Sequence, residues 1–495
     1  MVWIEAEGDI ERLRQVALLL QNENSRLFRR LEDLAAELAR LKGEQPAEQL
    51  ALEIALLKEK LQTRERELFS PSSEKRTTQP GDEQQKKPQT GHGPRHQPEL
   101  PIVDAVHILD EADKVCPKCG GELEEWAGQF EQSDEIDVVE RSYRVVRHKR
   151  QKYRCQCGEC VDTALGPDKL IPGGRYSVDF VISVAIGKYT DHLPLARQNR
   201  MMARDGLLID TQTLWDQIFA LTRHLEPTYE ALHDLVLQAP VIGADETTWR
   251  LLGSGSKSWW AWSVCSPDAV VYQISPTRSA KDAGRILRDF SGVVVADGYS
   301  AYRTLRDRRA ASRDGPPFEL AACWAHVRRK FLEAEPDHPE ATPVLELIGD
   351  LYGVEAEGRE APNRLAVLRG EKSRELVDQL RNALLAIRAL PRSSLGTAVS
   401  YTFELWPALT RFLDDSRIPL DNNQTERALR GVVIGRKNHY GSRSLRGTKV
   451  AALFYSLIES AKLCRVEPRA YLREATRRAI AQPGAVTVPR ALIEA

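Results

Sequence analysis

Leu13, Leu20, Leu27, Leu34 and Leu41 recur at every seventh position, and Ile10, Ala17, Asn24, Leu31 and Leu38 fill the alternate seam. This 4-3 spacing predicts a leucine-zipper helix. Leucine at one core position is the preference of parallel two-stranded coiled coils, and a single buried asparagine, here Asn24, sets register and strand number at some cost in stability. Gly43 and Pro46 break the pattern before Leu50, Ile54, Leu57, Leu61 and Leu68 resume it. A helix packed on its own domain would carry a similar stripe, but five unbroken heptads favour a homodimer or higher assembly through residues 1–68.

Residues 69–100 are rich in Pro, Gln, Lys, Ser and Gly, and such a segment buries too little apolar surface to offset ordering; a disordered linker is expected. From Val178 to about Leu225 the periodicity predicts three helices, with Arg204-Asp205-Gly206 between the second and the third. That is the outline of a helix-turn-helix, although a structural connector fits as well. After Pro240 the pattern shifts to short β-rich runs at Val241–Asp245, Trp259–Val264, Val270–Ile274 and Gly292–Ala296, with one helix over Ser279–Phe290. Hairpins followed by a βαβ crossover predict a mixed sheet with helices on both faces.

Composition narrows the class. Apolar residues make up 42% of the 495 and charged residues 28%, a globular balance, and no apolar run is long enough to span a bilayer. The first ten residues carry acids rather than a basic stretch and an apolar core, so no secretion signal is expected, and a cytoplasmic protein with no membrane partner is the reading. With 70 basic and 71 acidic residues the net charge is −1, so any nucleic-acid contact must rest on local patches.

Five of the eight cysteines lie between Cys116 and Cys160, which in such a chain points to metal rather than disulfides. Cys116-Pro-Lys-Cys119-Gly-Gly has zinc-knuckle spacing, and Cys155, Cys157 and Cys160 compete for two further positions. Cys157 and Cys160 repeat the two-residue gap and are preferred as partners of Cys116 and Cys119 for Zn²⁺. Between the clusters, Arg141, Arg144, Arg147, Lys149, Arg150, Lys152 and Arg154 occur without an acid, interleaved with Tyr143 and Tyr153. On a strand, alternate cations would line a phosphate track.

Two apolar strands ending in Asp245 and Asp297 would place both carboxylates at the carboxyl edge of a sheet, where open α/β folds build their sites. Paired carboxylates call for a divalent ion and a third acid to complete the cage. Glu426 is the candidate, in a helix that Asp421 could cap with Gln424 as capping-box partner. Asn422, Glu426 and Arg430 then share one face, and Arg436, Lys437, Arg443, Arg446 and Lys449 follow where phosphates would approach. His326 precedes Arg328, Arg329 and Lys330; a DNA contact, a site-organising role and a core cap all fit it. Glu246 should point to the opposite face from Asp245, and Trp249 reads as packing.

The set resembles the DDE transposases, and specifically the bacterial insertion-sequence sixty-six family. The segments that carry the resemblance are the leucine-zipper start, C-P-K-C-G-G, the basic run ending K-Y-R-C, I-G-A-D-E-T-T-W, V-V-V-A-D-G-Y-S-A-Y, C-W-A-H-V-R-R-K-F and L-D-N-N-Q-T-E-R-A-L-R. The resemblance implies a multidomain chain with an α/β ribonuclease H-like catalytic core and a helical insertion, behind a coiled coil, a zinc ribbon and a helix-turn-helix-like region. It implies Asp245, Asp297 and Glu426 as the catalytic, magnesium-binding triad of a DDE-type enzyme that cleaves the terminal inverted repeats of an insertion sequence and joins them to target DNA.

The expected boundaries are 1–68 for the zipper, 69–100 for the linker, 101–175 for the zinc-binding DNA-recognition domain and 176–238 for the helical region. The catalytic domain takes 239–335 and 416–465, with the insertion over 336–415 and a helical tail over 466–495. Arg144, Arg147, Arg150, Lys152, His326, Arg329, Arg430 and Lys437 are the expected contacts to double-stranded DNA. Accessory proteins of the same element are further expected partners, and the bound protein would be nucleoid-associated. A non-enzymatic DNA-binding regulator and a hydrolytic nuclease without strand transfer are the alternatives.

Overall fold

A computed structural model describes residues 24–34, 44–69, 142–154 and 161–493, with short breaks at 253–257 and 313–314, and isolated positions elsewhere before 124. Two compact units emerge, one of residues 1–72 with 143–495 and one of residues 73–142. In the smaller unit the Leu123 amide donates to the Lys114 carbonyl at 2.8 Å. Cys116, Cys119, Cys155, Cys157 and Cys160 lie outside the described residues, as does the leucine seam before Asn24.

The larger unit contains helix α1 (Glu44–Phe69). Lys58 of α1 pairs with Glu32 and lies 5.6 Å from the Phe28 ring centre, so the helical stretch 24–34 runs beside α1 within one chain. Leu27 and Leu34 are exposed, whereas the second leucine stretch divides, with Ile54 buried and Leu57 out. Glu59 accepts a hydrogen bond from the Ser394 amide, which ties α1 to a helix far along the chain.

The basic segment is not the strand its composition predicts. Residues 142–151 have no regular structure, and only β1 (Lys152–Arg154) pairs, antiparallel with β2 (Val161–Thr163). A strand needs a partner along its whole length, and β2 offers three residues. Arg144, Arg147, Arg150 and Lys152 are all exposed.

Three helices follow as expected: α2 (Val178–Tyr189), α3 (Leu195–Arg204) and α4 (Thr211–Gln238). Gly206, at φ 83°, supplies the left-handed turn between α3 and α4. The sheet then forms from β3 (Val241–Trp249), β4 (Trp259–Cys265), β5 (Val270–Ser275), β6 (Val293–Ala296) and β7 (Glu319–Ala322), in the order β5-β4-β3-β6-β7. The β3, β4 and β5 strands are antiparallel neighbours; β6 and β7 join parallel. Helices α5 (Ala280–Leu287) and α6 (Ser300–Ser312) make the crossovers. Beyond β7 come α7 (Trp324–Ala334), α8 (Thr342–Glu360), α9 (Arg374–Ala386), α10 (Ser394–Leu409), α11 (Asn423–His439), α12 (Leu445–Leu463) and α13 (Pro468–Ala481).

Successive strand residues feed opposite faces. Val294 joins one core with α2, α4, α12 and α13, while Val293 and Val295 join another with α7 to α10. Helix α12 also shields the sheet edge. The Ser456 and Ser460 hydroxyls accept from the Tyr272 and Val270 amides at 2.9 Å, satisfying edge donors of β5 that would otherwise invite another strand. Among the described residues no helix is long and apolar enough to cross a membrane.

Candidate active site

Register brings the two aspartates together. Val241 pairs with Val293 and Gly243 with Val295, so continuing the parallel ladder by two residues sets Asp245 level with Asp297. The apolar pattern predicts a strand ending at Asp245, but the strand runs on to Trp249. Asp245 to Trp249 stay paired with Ser263 to Trp259 of β4, and only the β6 side opens at this level. An antiparallel neighbour, invisible in a local pattern, extends the strand.

Ile242 and Ala244 are buried in the first core, so Gly243 and Asp245 share the other face. A methyl on Gly243 would collide with Thr425 Oγ1 and Asn422 Oδ1. The missing side chain therefore lets the first turn of α11 lie directly on the sheet, which carries Glu426 toward the aspartates. Asn422 fastens this turn: its Nδ2 donates to the Ala244 carbonyl at 2.8 Å and its amide to Cys323 Sγ at 3.3 Å. Tyr272 donates to the Ala428 carbonyl at 2.7 Å, one turn further along.

The expected capping box does not form. Asn422 is the N-cap, Asp421 accepts from the Asn423 amide, and the Gln424 side chain donates to the Ser266 carbonyl at 3.0 Å. Contacts to the sheet and its loops outcompete local capping here.

Burial raises the Asp245 carboxyl to about 7, with the charges of Glu246, Asp297 and Glu426 adding to the effect against a hydrogen bond from the Glu246 amide. Glu246 points to the opposite face, as its position predicts. It is buried, accepts from the Tyr302 hydroxyl at 2.8 Å and pairs with Arg278, which lies over the Tyr299 and Trp260 rings. Trp249 is 1% exposed and packs as expected, its Nε1 donating to Ser442 Oγ at 3.3 Å.

Asp297 is held from two sides. Its carboxylate accepts from the Tyr299 amide at 2.9 Å, and its carbonyl accepts from the Tyr401 hydroxyl of α10. Gly298 follows at φ 87°, a left-handed turn against Leu405 that a side chain would strain. Lys330 lies 4.7 Å above the Tyr401 ring.

His326 in the first turn of α7 sits with Nδ1 3.7 Å from Glu426 Oε1, and both buried atoms lack a hydrogen-bond partner. Three carboxylates with one orphaned oxygen suit a hard divalent ion. Asp297 and Glu426 each lie within electrostatic reach of Asp245, and the possible ligand atoms gathered most tightly among the described residues are those of Cys323, His326 and Glu426. Of the expected cations, Arg329, Arg430 and Lys437 are exposed, while Arg436 donates to the Thr247 hydroxyl at 3.0 Å and braces β3. Arg446 stacks on Phe219 of α4, 4.6 Å from the ring centre.

Sequence reasoning missed Tyr401, Gly243, the anchoring role of Asn422 and the place of Cys323 beside His326. Only the last had a legible signal, the two-residue gap in C-W-A-H.

Residues 173–450 match the family described as transposase IS66 family, a span that contains β3 to β7 and α11. Residues 113–158 match the zinc-finger binding domain of transposase IS66, a span that takes in Cys155 and Cys157 and stops before Cys160. Three proteins of Sinorhizobium fredii are similar. Uncharacterized protein y4jD is 33% identical over 80% of this chain and 80% of its own length, and uncharacterized protein y4qI is 31% identical over 95% and 94%. Uncharacterized protein y4hP is 27% identical over 77% of this chain and 73% of its own length. The sheet, its carboxylates and both matches lead to one statement: the chain belongs to the IS66 family of transposases.

Proposed function

We propose that this chain is a DDE-type DNA transposase with a ribonuclease H-like core, which binds the terminal inverted repeats of its element, cleaves them and joins the released ends to target DNA. The observation that carries the reading is the register of β3 on β6, which sets Asp245 level with Asp297 on the face where Glu426 approaches. In this reading Asp245, Asp297 and Glu426 hold magnesium or manganese. The bound ions supply Lewis acidity toward a phosphodiester and its attacking oxygen. The chain's own contribution is positioning. Tyr401 and the Tyr299 amide fix Asp297, Asn422 and Gly243 seat Glu426, and the sheet excludes water from the buried side of Asp245. The exposed cations Arg430 and Lys437, and the basic segment with Arg144, Arg147, Arg150 and Lys152, neutralise DNA phosphates.

Zinc held by Cys116, Cys119 and two of Cys155, Cys157 and Cys160 folds the recognition module, and the exposed Leu27 and Leu34 belong to a seam that pairs two copies. Transposase and simple nuclease differ in one product. Duplexes bearing the inverted repeats that flank the gene, pre-cut to expose a 3′-hydroxyl, are incubated with the protein, magnesium and a circular target. Covalent joining to the circle is expected; cutting without joining would favour the nuclease, and binding without either the regulator.

A further inference from the structure

Cys323, His326 and Glu426 form a set that the proposed magnesium chemistry does not use as a unit. Cys323 occupies the N-cap position of α7 and His326 lies in its first turn, a spacing of three that puts both on one side of the helix start. Glu426 arrives from the first turn of α11. One sulfur, one imidazole nitrogen and one carboxylate oxygen from these residues lie within 4.8 Å of one another.

The gap between His326 Nδ1 and Glu426 Oε1, 3.7 Å, is too long for a hydrogen bond, yet neither buried atom has another partner. It is close to the nitrogen-to-oxygen edge of a tetrahedral zinc site, about 3.3 Å for bonds near 2.0 Å. Cys323 Sγ already accepts the Asn422 amide, the outer-sphere bond that commonly orients a ligating sulfur. A sulfur and an imidazole nitrogen among the three donors favour a thiophilic ion over a hard one.

We propose that Cys323, His326 and Glu426 bind a borderline-soft divalent cation of the zinc class, in a three-ligand site with an open fourth position, separate from the cysteine ribbon. The assignment goes beyond the magnesium reading. One consequence rests on that reading: an ion bound here withdraws Glu426 from magnesium and stops cleavage.

The test is a cobalt(II) titration of the full chain purified with its ribbon zinc in place. One further equivalent should develop a sulfur-to-cobalt charge-transfer band and the visible bands of a tetrahedral ion, bleached by added zinc. Cys323→Ser should abolish the sulfur band, and His326→Gln should weaken binding at least tenfold. If Cys323→Ser does not fold, His326→Gln and Glu426→Gln carry the same demand. Asp245→Asn should keep the bands while losing magnesium-dependent cleavage. A parent chain with no further equivalent, or bands indifferent to Cys323 and His326, overturns the site even if cleavage proceeds. Bands present in a parent that never cleaves overturn only the magnesium reading.

Discussion

Gly243 lies so close beneath Thr425 that a methyl group on it would overlap the threonine hydroxyl. This contact, between a central strand and the first turn of α11, fixes how far Glu426 stands from Asp245. Gly243→Ala should therefore destabilise the larger unit by about 1–3 kcal/mol, the usual cost of overpacking. It should lower DNA cleavage beyond what lost folding explains, because α11 must lift. Thermal melts and cleavage rates at matched folded fraction check both; a variant as stable and active as the parent would contradict the contact.

Tyr401 reaches from α10 to the Asp297 carbonyl, so the helices beyond β7 help hold the site. Tyr401→Phe keeps the ring and its packing but removes one donor, an effect on the order of 1 kcal/mol. Cleavage should slow by roughly two- to tenfold, since about 1.4 kcal/mol is a tenfold rate change. DNA affinity should not move. An equal loss of affinity would place Tyr401 in DNA binding instead.

Asp245 couples stability to pH. Its carboxyl is raised from the ordinary 3.8 to about 7, mainly by burial, so in magnesium-free buffer the folded chain keeps a proton that the unfolded chain has lost. Below 3.8 both states are protonated and burial carries no ionisation cost; as pH climbs toward 7 this contribution to stability is lost, and above 7 the loss is complete. Asp245→Asn cannot ionise. Its stability relative to the parent, read from thermal melts, should be higher at pH 8 than at pH 4 by an amount on the order of 2 kcal/mol. A difference independent of pH would mean that Asp245 is solvated and unperturbed.

The sheet was legible because its strands are short apolar runs whose order admits few pairings. The carboxylates were legible as members of those runs. What escaped was decided by distant chain. The extra length of β3 comes from β4, and Gln424 leaves its helix for the Ser266 carbonyl. Asn422 turns to the Ala244 carbonyl rather than to its own helix, and nothing near Asp297 in sequence points to Tyr401. The basic run had strand-like composition without a partner to pair with along residues 142–151.

The zinc ligands can be assigned one by one. Cys116→Ser and Cys119→Ser should each release the ribbon zinc, and of Cys155, Cys157 and Cys160 two should behave alike and one should tolerate serine. The reading from spacing expects Cys155 to be tolerant, whereas the family match, ending at residue 158, shifts weight toward Cys160. Metal content of each purified variant decides, and Cys116→Ser and Cys119→Ser, which lie in the smaller unit, should leave the melt of the larger unit unchanged. Retention of zinc by Cys116→Ser would remove the ribbon from this account.

The most direct measurement incubates the protein with a labelled terminal-repeat duplex and magnesium, beside Asp245→Asn, Asp297→Asn and Glu426→Gln. The parent should cut at the element's end, and each variant should bind the same duplex as tightly yet lose on the order of a hundredfold in rate, the outcome the proposed role of these carboxylates as magnesium ligands requires. A Glu426→Gln variant that cuts as fast as the parent would contradict the triad and turn attention to Asp421, the nearest carboxylate in the same segment.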